Sequence, residues 1–246
     1  MEFKIGVAVR KFRELLFLWM FCVLALDNAA QAMVFSKTNL QLLRGHNFQL
    51  GPKTRNVLTY EQLSVFKKGD LFFFFDVTDA TSEQTSLYGE AVLRGNLNEL
   101  FHWNTGNFVK GLFLALSLEH NSSGAALYGL SLDLNVPGMD LFQVTYFQRN
   151  LKKEEGLSQQ ITLVWSTQFQ MGLPWEFSGF FDWATKEGRS EGWILMQPQL
   201  LFNLGKFWNM TDGELWSGLE FHQWTNKFGI KDQNESVIQY MLKWYI

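Results

Sequence analysis

The sequence predicts an all-β protein: a transmembrane up-and-down antiparallel β-barrel of about twelve strands, preceded by an N-terminal signal peptide. Three observations predict it. Apolar residues recur at every second position over segments of about ten residues, the length that crosses a bilayer when a strand is tilted by about 45°. The connections alternate between compact turns and longer polar loops. The N-terminus has the layout of an export leader.

The leader comes first in the chain. Lys4, Arg10, Lys11 and Arg13 make a basic start, LLFLWMFCVLAL (15–26) is an unbroken apolar run, and DNAAQA follows with Ala30 and Ala32 in a small-x-small pattern. Twelve residues at 1.5 Å each cover about 18 Å, short of a bilayer core of ~30 Å, which argues against a spanning helix. Residues 1–32 are therefore read as a signal peptide cleaved after about Ala32, and 33–246 as one barrel domain without linker, repeat or low-complexity tract. Cys22, the one cysteine, lies in the leader, so disulfide scaffolds, cysteine nucleophiles and thiolate metal sites are excluded from the exported part. The formal charge is -3, and the leader carries one net positive charge of it, leaving the remainder slightly more acidic. Nothing in that balance suggests a nucleic-acid partner.

After the leader the period-2 segments lie near 39–49, 56–66, 70–79, 86–97, 110–119, 125–135, 140–148, 159–169, 174–184, 192–204, 214–224 and 235–246. The third, GDLFFFFDVTD (69–79), puts Leu71, Phe73, Phe75 and Val77 on one face and Phe72, Phe74, Asp76 and Thr78 on the other. In a barrel the first set meets lipid and the second lines the interior. The fourth turns Tyr88, Glu90 and Arg94 inward against Leu87, Ala91 and Leu93. In the fifth, Leu112, Leu114, Leu116 and Leu118 oppose Phe113, Ala115, Ser117 and Glu119; in the sixth, Tyr128, Leu130, Leu132 and Leu134 oppose Gly129, Ser131, Asp133 and Asn135. The eighth sets Ile161, Leu163 and Trp165 against Thr162 and Ser166. The ninth turns Phe180 and Asp182 inward against Trp175, Phe181 and Trp183, and the eleventh turns Glu220, His222 and Trp224 inward against Leu215, Leu219 and Phe221. The twelfth opposes Tyr240, Leu242, Trp244 and Ile246 to Gln239, Met241, Lys243 and Tyr245.

KKGD (67–70), VPGMD (136–140) and MGLP (171–174) are the compact turns. DATSEQT (79–85), EHNSSG (119–124), RNLKKEEG (149–156), TKEGRSEG (185–192) and NKFGIKDQNE (226–235) are the polar loops. NLNELFHWNTGNFVK (96–110) falls on the short-turn side yet is long enough for a helical turn. The rival, a secreted β-sandwich, also alternates. Against it stand aromatic strand ends of the kind that form interfacial girdles, namely Tyr88, Trp165, Trp175, Trp183, Trp193, Trp216, Trp224 and Trp244.

Aromatic rings beside a carboxylate suit a small, flat, polar solute, since rings stack on its π-face and carboxylates accept hydrogen bonds from its hydroxyl or amino groups. The bland reading of Phe72 and Phe74 is that they pack a partly plugged lumen. Charges inside a barrel need partners, so Glu90, Arg94 and Glu220 are expected to join an interior salt-bridge network, while Phe72, Phe74 and Phe180 offer exposed rings. Neither a phosphate-binding loop nor a metal spacing among His46, His102, His120 and His222 is present. His120 beside Ser122 and Ser123 lacks an orienting acid for hydrolase chemistry. No cofactor, metal site or enzymatic activity is expected.

HNFQLGPKTRNVLTYEQLSVFKKGDLFFFFDVTDA (46–80) resembles the corresponding stretch of the Tsx/OmpK family of nucleoside-specific channel-forming outer-membrane proteins. The shared elements are a Gly-Pro, an Arg-Asn, an aromatic-Glu pair and an aromatic-rich strand after a Lys-Lys turn. SLYGEAVLRGNLNEL (86–100), FSGFFDWATKEGRSEGW (177–193) with its Phe-Asp-Trp, MQPQLLFNLG (196–205) and LWSGLEFHQWTNKFGIKDQNESVIQYMLKWYI (215–246) look like its later parts. The resemblance implies a monomeric twelve-stranded barrel in the outer membrane of a Gram-negative bacterium, passing nucleosides by passive diffusion, with some members serving as bacteriophage receptors. It places Glu61 inward. Leu50 stands where nucleoside-selective members carry an aromatic before the Gly-Pro, and Phe48, two residues earlier on the same face, is the candidate substitute. The chain ends in Ile246 where such barrels usually end in an aromatic. The expected partners are nucleosides or other small solutes and the lipid bilayer. A surface receptor binding phage or another ligand through RNLKKEEG and TKEGRSEG, with little or no transport, is the alternative.

Overall fold

The computed structural model describes residues 33–79, 85–120, 124–210 and 213–246. The expected leader lies outside the described residues, as do Ser122 and Ser123. The strands form a single antiparallel sheet: β1 (Met33–His46), β2 (Thr54–Phe66), β3 (Gly69–Thr78), β4 (Ser86–Asn96), β5 (Val109–His120), β6 (Ala125–Leu134), β7 (Leu141–Leu151), β8 (Ser158–Met171), β9 (Leu173–Ala184), β10 (Trp193–Met196), β11 (Gln199–Asn203), β12 (Leu215–Thr225) and β13 (Glu235–Tyr245). From β1 to β9 each strand pairs with its neighbour in sequence, β12 pairs with β13, and β1 pairs with β13 from Asn39 opposite Tyr245 to Gly45 opposite Gln239, which closes the cylinder. β10 and β11 both lie between β9 and β12, so they are two halves of one stave and the barrel has 12 strand positions.

The break within that stave has a local cause. Pro198 lacks an N–H and cannot donate to the ladder. Its carbonyl still accepts from Phe221 N at 2.9 Å, and Gln197 N reaches Phe180 O at 3.0 Å, so pairing resumes on either side. The sequence shows one segment over 192–204, and the proline splits it.

Elsewhere the alternation decides which side of the wall each residue takes. On β5, Leu114, Leu116 and Leu118 are exposed on the outside, while Ala115 and Ser117 are fully buried within. On β13, Ile238, Tyr240 and Trp244 are exposed, and Val237, Gln239, Met241 and Lys243 are buried. An exposed leucine face on a strand with a polar inner face is the inverse of a soluble sandwich and suits a lipid-facing wall. The interior is not uniformly open. Leu43, Leu201, Trp216 and Met241 pack together on one side, and Ala115, Ala125, Leu127 and Phe147 on another, thickening the wall from within.

Three expectations need correction. β1 runs over Met33–His46 and not 39–49, because Asn47 (φ 72°) and Gly51 (φ 69°) adopt left-handed conformations that end the strand and turn the chain. The connection over 97–108 carries the expected helical turn, α1 (Leu97–Phe101), capped by the Asn96 side chain. A second long connection, between β11 and β12, lies on the same rim and includes a 3-10 turn at Gly205–Trp208. Of the aromatics assigned to an interfacial girdle, Trp183 and Trp244 are exposed, but Trp216 is only 2% exposed and Tyr88, Trp193 and Trp224 line the interior. The alternation turns Tyr88 and Trp224 inward, as found; the girdle role is what fails for them, since alternation, not proximity to a rim, sets the side.

Gly129 on β6 shows how closely strands approach. A Cβ there would run into the carbonyl oxygen of Tyr146 and lie 2.9 Å from Phe147 Cα on β7. Gly129→Ala is expected to push β6 off β7 and lower stability by about 1–3 kcal/mol, read as a lower denaturant midpoint for the barrel refolded in lipid.

Candidate functional site

The strands enclose a cavity of about 1480 Å³. All twelve side chains singled out above line it: Phe48, Glu61, Phe72, Phe74, Asp76, Tyr88, Glu90, Arg94, Phe180, Asp182, Glu220 and His222. They do so in distinct ways.

β3 and β4 carry a strip of rings. Phe72 and Phe74 lie 6.0 Å apart between centroids, and Phe74 and Tyr88 5.7 Å. In register, Glu90 sits opposite Phe74 and Asp76 opposite Tyr88. The period of 2 on both strands puts aromatic and acidic groups side by side on the inner face. None of these rings is fully buried, so their faces are available to a solute in the lumen.

Asp76 accepts from Thr59 Oγ1 at 2.6 Å, Glu90 from Ser117 Oγ at 2.7 Å and Asp182 from Thr162 Oγ1 at 2.5 Å. Glu220 accepts from Gln199 Nε2 and Gln239 Nε2, each at 2.8 Å. Glu61 accepts from Asn39 Nδ2 at 2.8 Å. Among the described residues, the salt-bridge network expected to include Glu90 and Glu220 does not reach them: their direct partners there are neutral hydroxyls and amides. Other acids act on their charges instead. Glu90 on β4 is repelled first by Glu119 on the adjoining β5 and then by Asp182 on β9, and Glu220 on β12 by Asp76 on β3, the last two pairs lying on strands that do not adjoin.

Arg94 is in a network, as expected. Its guanidinium forks onto Asp70 (2.9 and 2.7 Å) and reaches Asp133 at 2.7 Å. Sequence reasoning singled out neither carboxylate, although Asp133 lay on the polar face of its segment. Two further pairs went unnoticed for the same reason, each partner being an inner-face residue on a different strand. Arg149 Nη2 holds Glu119 Oε2 at 2.7 Å, and Lys243 Nζ holds Glu176 Oε1 at 3.3 Å. Alternation gives the face of each but not which strands' residues meet.

Phe48 is different from the other rings. It is only 3% exposed, with the Arg55 guanidinium 4.8 Å above its centroid and His222 beside it at 6.3 Å. It anchors the turn between β1 and β2 at the loop rim and presents no open face for stacking. Near it, the fully buried Glu235 ties three segments: Lys227 of the β12–β13 loop pairs with it, His222 Nε2 lies 3.2 Å away, and the backbone N–H of Gln49 donates to it at 2.8 Å. Burial pushes the Lys227 ammonium below its usual range, against the opposing pull of Glu235. Glu235→Ala is expected to release both loops, raising the rate of tryptic cleavage at Lys227 in the folded barrel roughly tenfold, the counterpart of about 1.4 kcal/mol of local opening.

No family model matches the sequence, and no curated protein matches it; the resemblance to the Tsx/OmpK family rests on the stretches quoted above. Among solved structures, one described as "KdgM porin" superposes with a TM-score of 0.51 at 10% identity, covering 85% of this chain and 98% of that chain. Another, "KdgM porin in complex with disordered oligogalacturonate", gives 0.49 at 10% identity over the same shares. At this identity the likeness is one of fold: a closed porin barrel.

Proposed function

We propose that the protein is an outer-membrane channel through which nucleosides, or similar small polar solutes with a flat aromatic part, diffuse passively. The observation that carries this reading is the lumenal strip Phe72–Phe74–Tyr88 flanked by Asp76 and Glu90. A purine or pyrimidine base stacks on such rings for about 1–3 kcal/mol each. Ribose hydroxyls and exocyclic amines donate to carboxylates whose partners among the described residues are neutral donors. Weak, repeated contacts of this kind let a solute enter and leave. The lipid-facing leucine wall and the porin fold support the membrane setting.

The test is reconstitution of the barrel in planar bilayers. Conductance steps that adenosine or thymidine block at millimolar concentration support the reading. Steps indifferent to nucleosides leave a general pore, and absence of conductance overturns transport altogether.

One observation favours a receptor role for the same barrel. The two charged loops are tied together: Glu154 of the β7–β8 loop accepts from the Arg189 backbone N–H at 2.9 Å and pairs with its guanidinium at 3.4 Å. This makes RNLKKEEG and TKEGRSEG one continuous rim surface. Deleting 186–190 then abolishes phage adsorption while leaving nucleoside passage intact.

A further inference from the structure

Ion pairing inside the lumen is uneven, and the imbalance has a direction. Ten of the side chains lining the cavity are aspartate or glutamate, against six lysines and arginines. Four of those cations are committed to carboxylates: Arg94 to Asp70 and Asp133, Arg149 to Glu119, Lys243 to Glu176 and Lys227 to Glu235. The other two sit over rings, Lys37 3.8 Å above Tyr245 and Arg55 above Phe48. Among the described residues, no ion pair reaches Asp76, Glu90, Asp182 or Glu220.

Those four line the bore with hydroxyl and amide partners in place of cations. Hydroxyl and amide donors orient a carboxylate without neutralising it, and each ionised carboxylate has lone pairs for about four hydrogen bonds. Acids also crowd one another here, Glu90 with Glu119 and Asp182, and Glu220 with Asp76, an arrangement that a mobile positive charge relieves. A second observation points the same way. Gln239 is only 4% exposed and spends its amide N–H on Glu220, yet its Oε1 has no donor among the described residues. A buried acceptor left open beside an unpaired carboxylate is a place for a cation or a protonated amine arriving from the lumen.

We infer that the belt formed by Asp76, Glu90, Asp182 and Glu220, with the Gln239 carbonyl, makes this lumen select for positive charge, so that its preferred solutes are cations and amine-bearing molecules rather than anions. The inference rests on the channel reading above and specifies its substrate class. A ring of one sign in a low-dielectric channel raises the local concentration of counter-ions and excludes co-ions.

The experiment measures the zero-current potential of the purified barrel in a planar bilayer across a KCl gradient at pH 8. The expected permeability ratio of potassium to chloride is roughly 10. The combined variant Asp76→Asn, Glu90→Gln, Asp182→Asn, Glu220→Gln keeps the shape of every side chain, and its ratio is expected to fall to about one. If that variant does not assemble, the four single amide variants are measured separately, each lowering the ratio in part. A wild-type ratio at or below one, or amide variants that leave it unchanged, overturns the inference while the channel reading stands. A barrel that carries no current overturns the channel reading itself.

Discussion

Replacing Arg94 by alanine is expected to destabilise the barrel by about 3–5 kcal/mol, the range seen when one partner of a buried ion pair is removed. The side chains of Arg94 and Asp70 are each 9% exposed, and Arg94 also reaches Asp133 on β6 and Ser131 Oγ at 3.2 Å, while its guanidinium lies 4.3 Å over the Phe113 ring. One side chain therefore links β3, β4, β5 and β6. Truncation leaves two carboxylates facing each other without a cation. The measurement is the denaturant midpoint for refolding into lipid vesicles. Arg94→Lys restores only part of the loss, because an ammonium cannot fork onto Asp70. In a double-mutant cycle, Asp70→Asn in the alanine background costs less than Asp70→Asn alone, since the charge it removes is already unpaired. A loss below about 1 kcal/mol for Arg94→Ala would show that water repairs the site and that the network does not hold these strands together.

The second large effect concerns the solute. Phe74 lies between Phe72 and Tyr88 and is the ring both neighbours touch. Phe74→Ala removes one stacking face and separates the other two, so the concentration of nucleoside that half-blocks the current is expected to rise roughly tenfold or more, from the loss of about 1–3 kcal/mol of stacking. Phe73→Ala, one residue away on the lipid face, is the control and leaves the block unchanged. If both variants behave alike, the rings of β3 serve packing and not the solute.

Much of the barrel is legible in the sequence because its wall separates two solvents. Every strand must put apolar atoms on one face and polar atoms on the other, and a period of 2 records that separation residue by residue. The inner faces of Phe72, Glu90, Asp182 and Glu220 follow directly. What the period does not record is distance around the circumference. Arg94 and Asp133, or Lys243 and Glu176, are separated by many residues in sequence and meet across the intervening strands of the curved sheet, β5 in the first case and β11 and β12 in the second. It also says nothing about residues off the strands: Phe48 appears aromatic and available, but the turn that Asn47 and Gly51 impose folds it under Arg55. Glu90 and Glu220 were expected in ion pairs on the ground that buried charge needs compensation. Clusters of hydroxyls and amides supply it, and those donors come from neighbouring strands.

The interrupted stave bears on how the bore can change width. A cylinder sewn shut by a complete ladder resists dilation, since each seam must break before the circumference grows. Pro198 leaves one stitch unmade, opposite Gly179, which has no side chain to stiffen the fabric. Gln197, the residue next to that gap, touches both Glu220 and His222. Any breathing of the tube as a solute squeezes past therefore concentrates at this pleat, and the two groups that feel it first stand in the corridor itself.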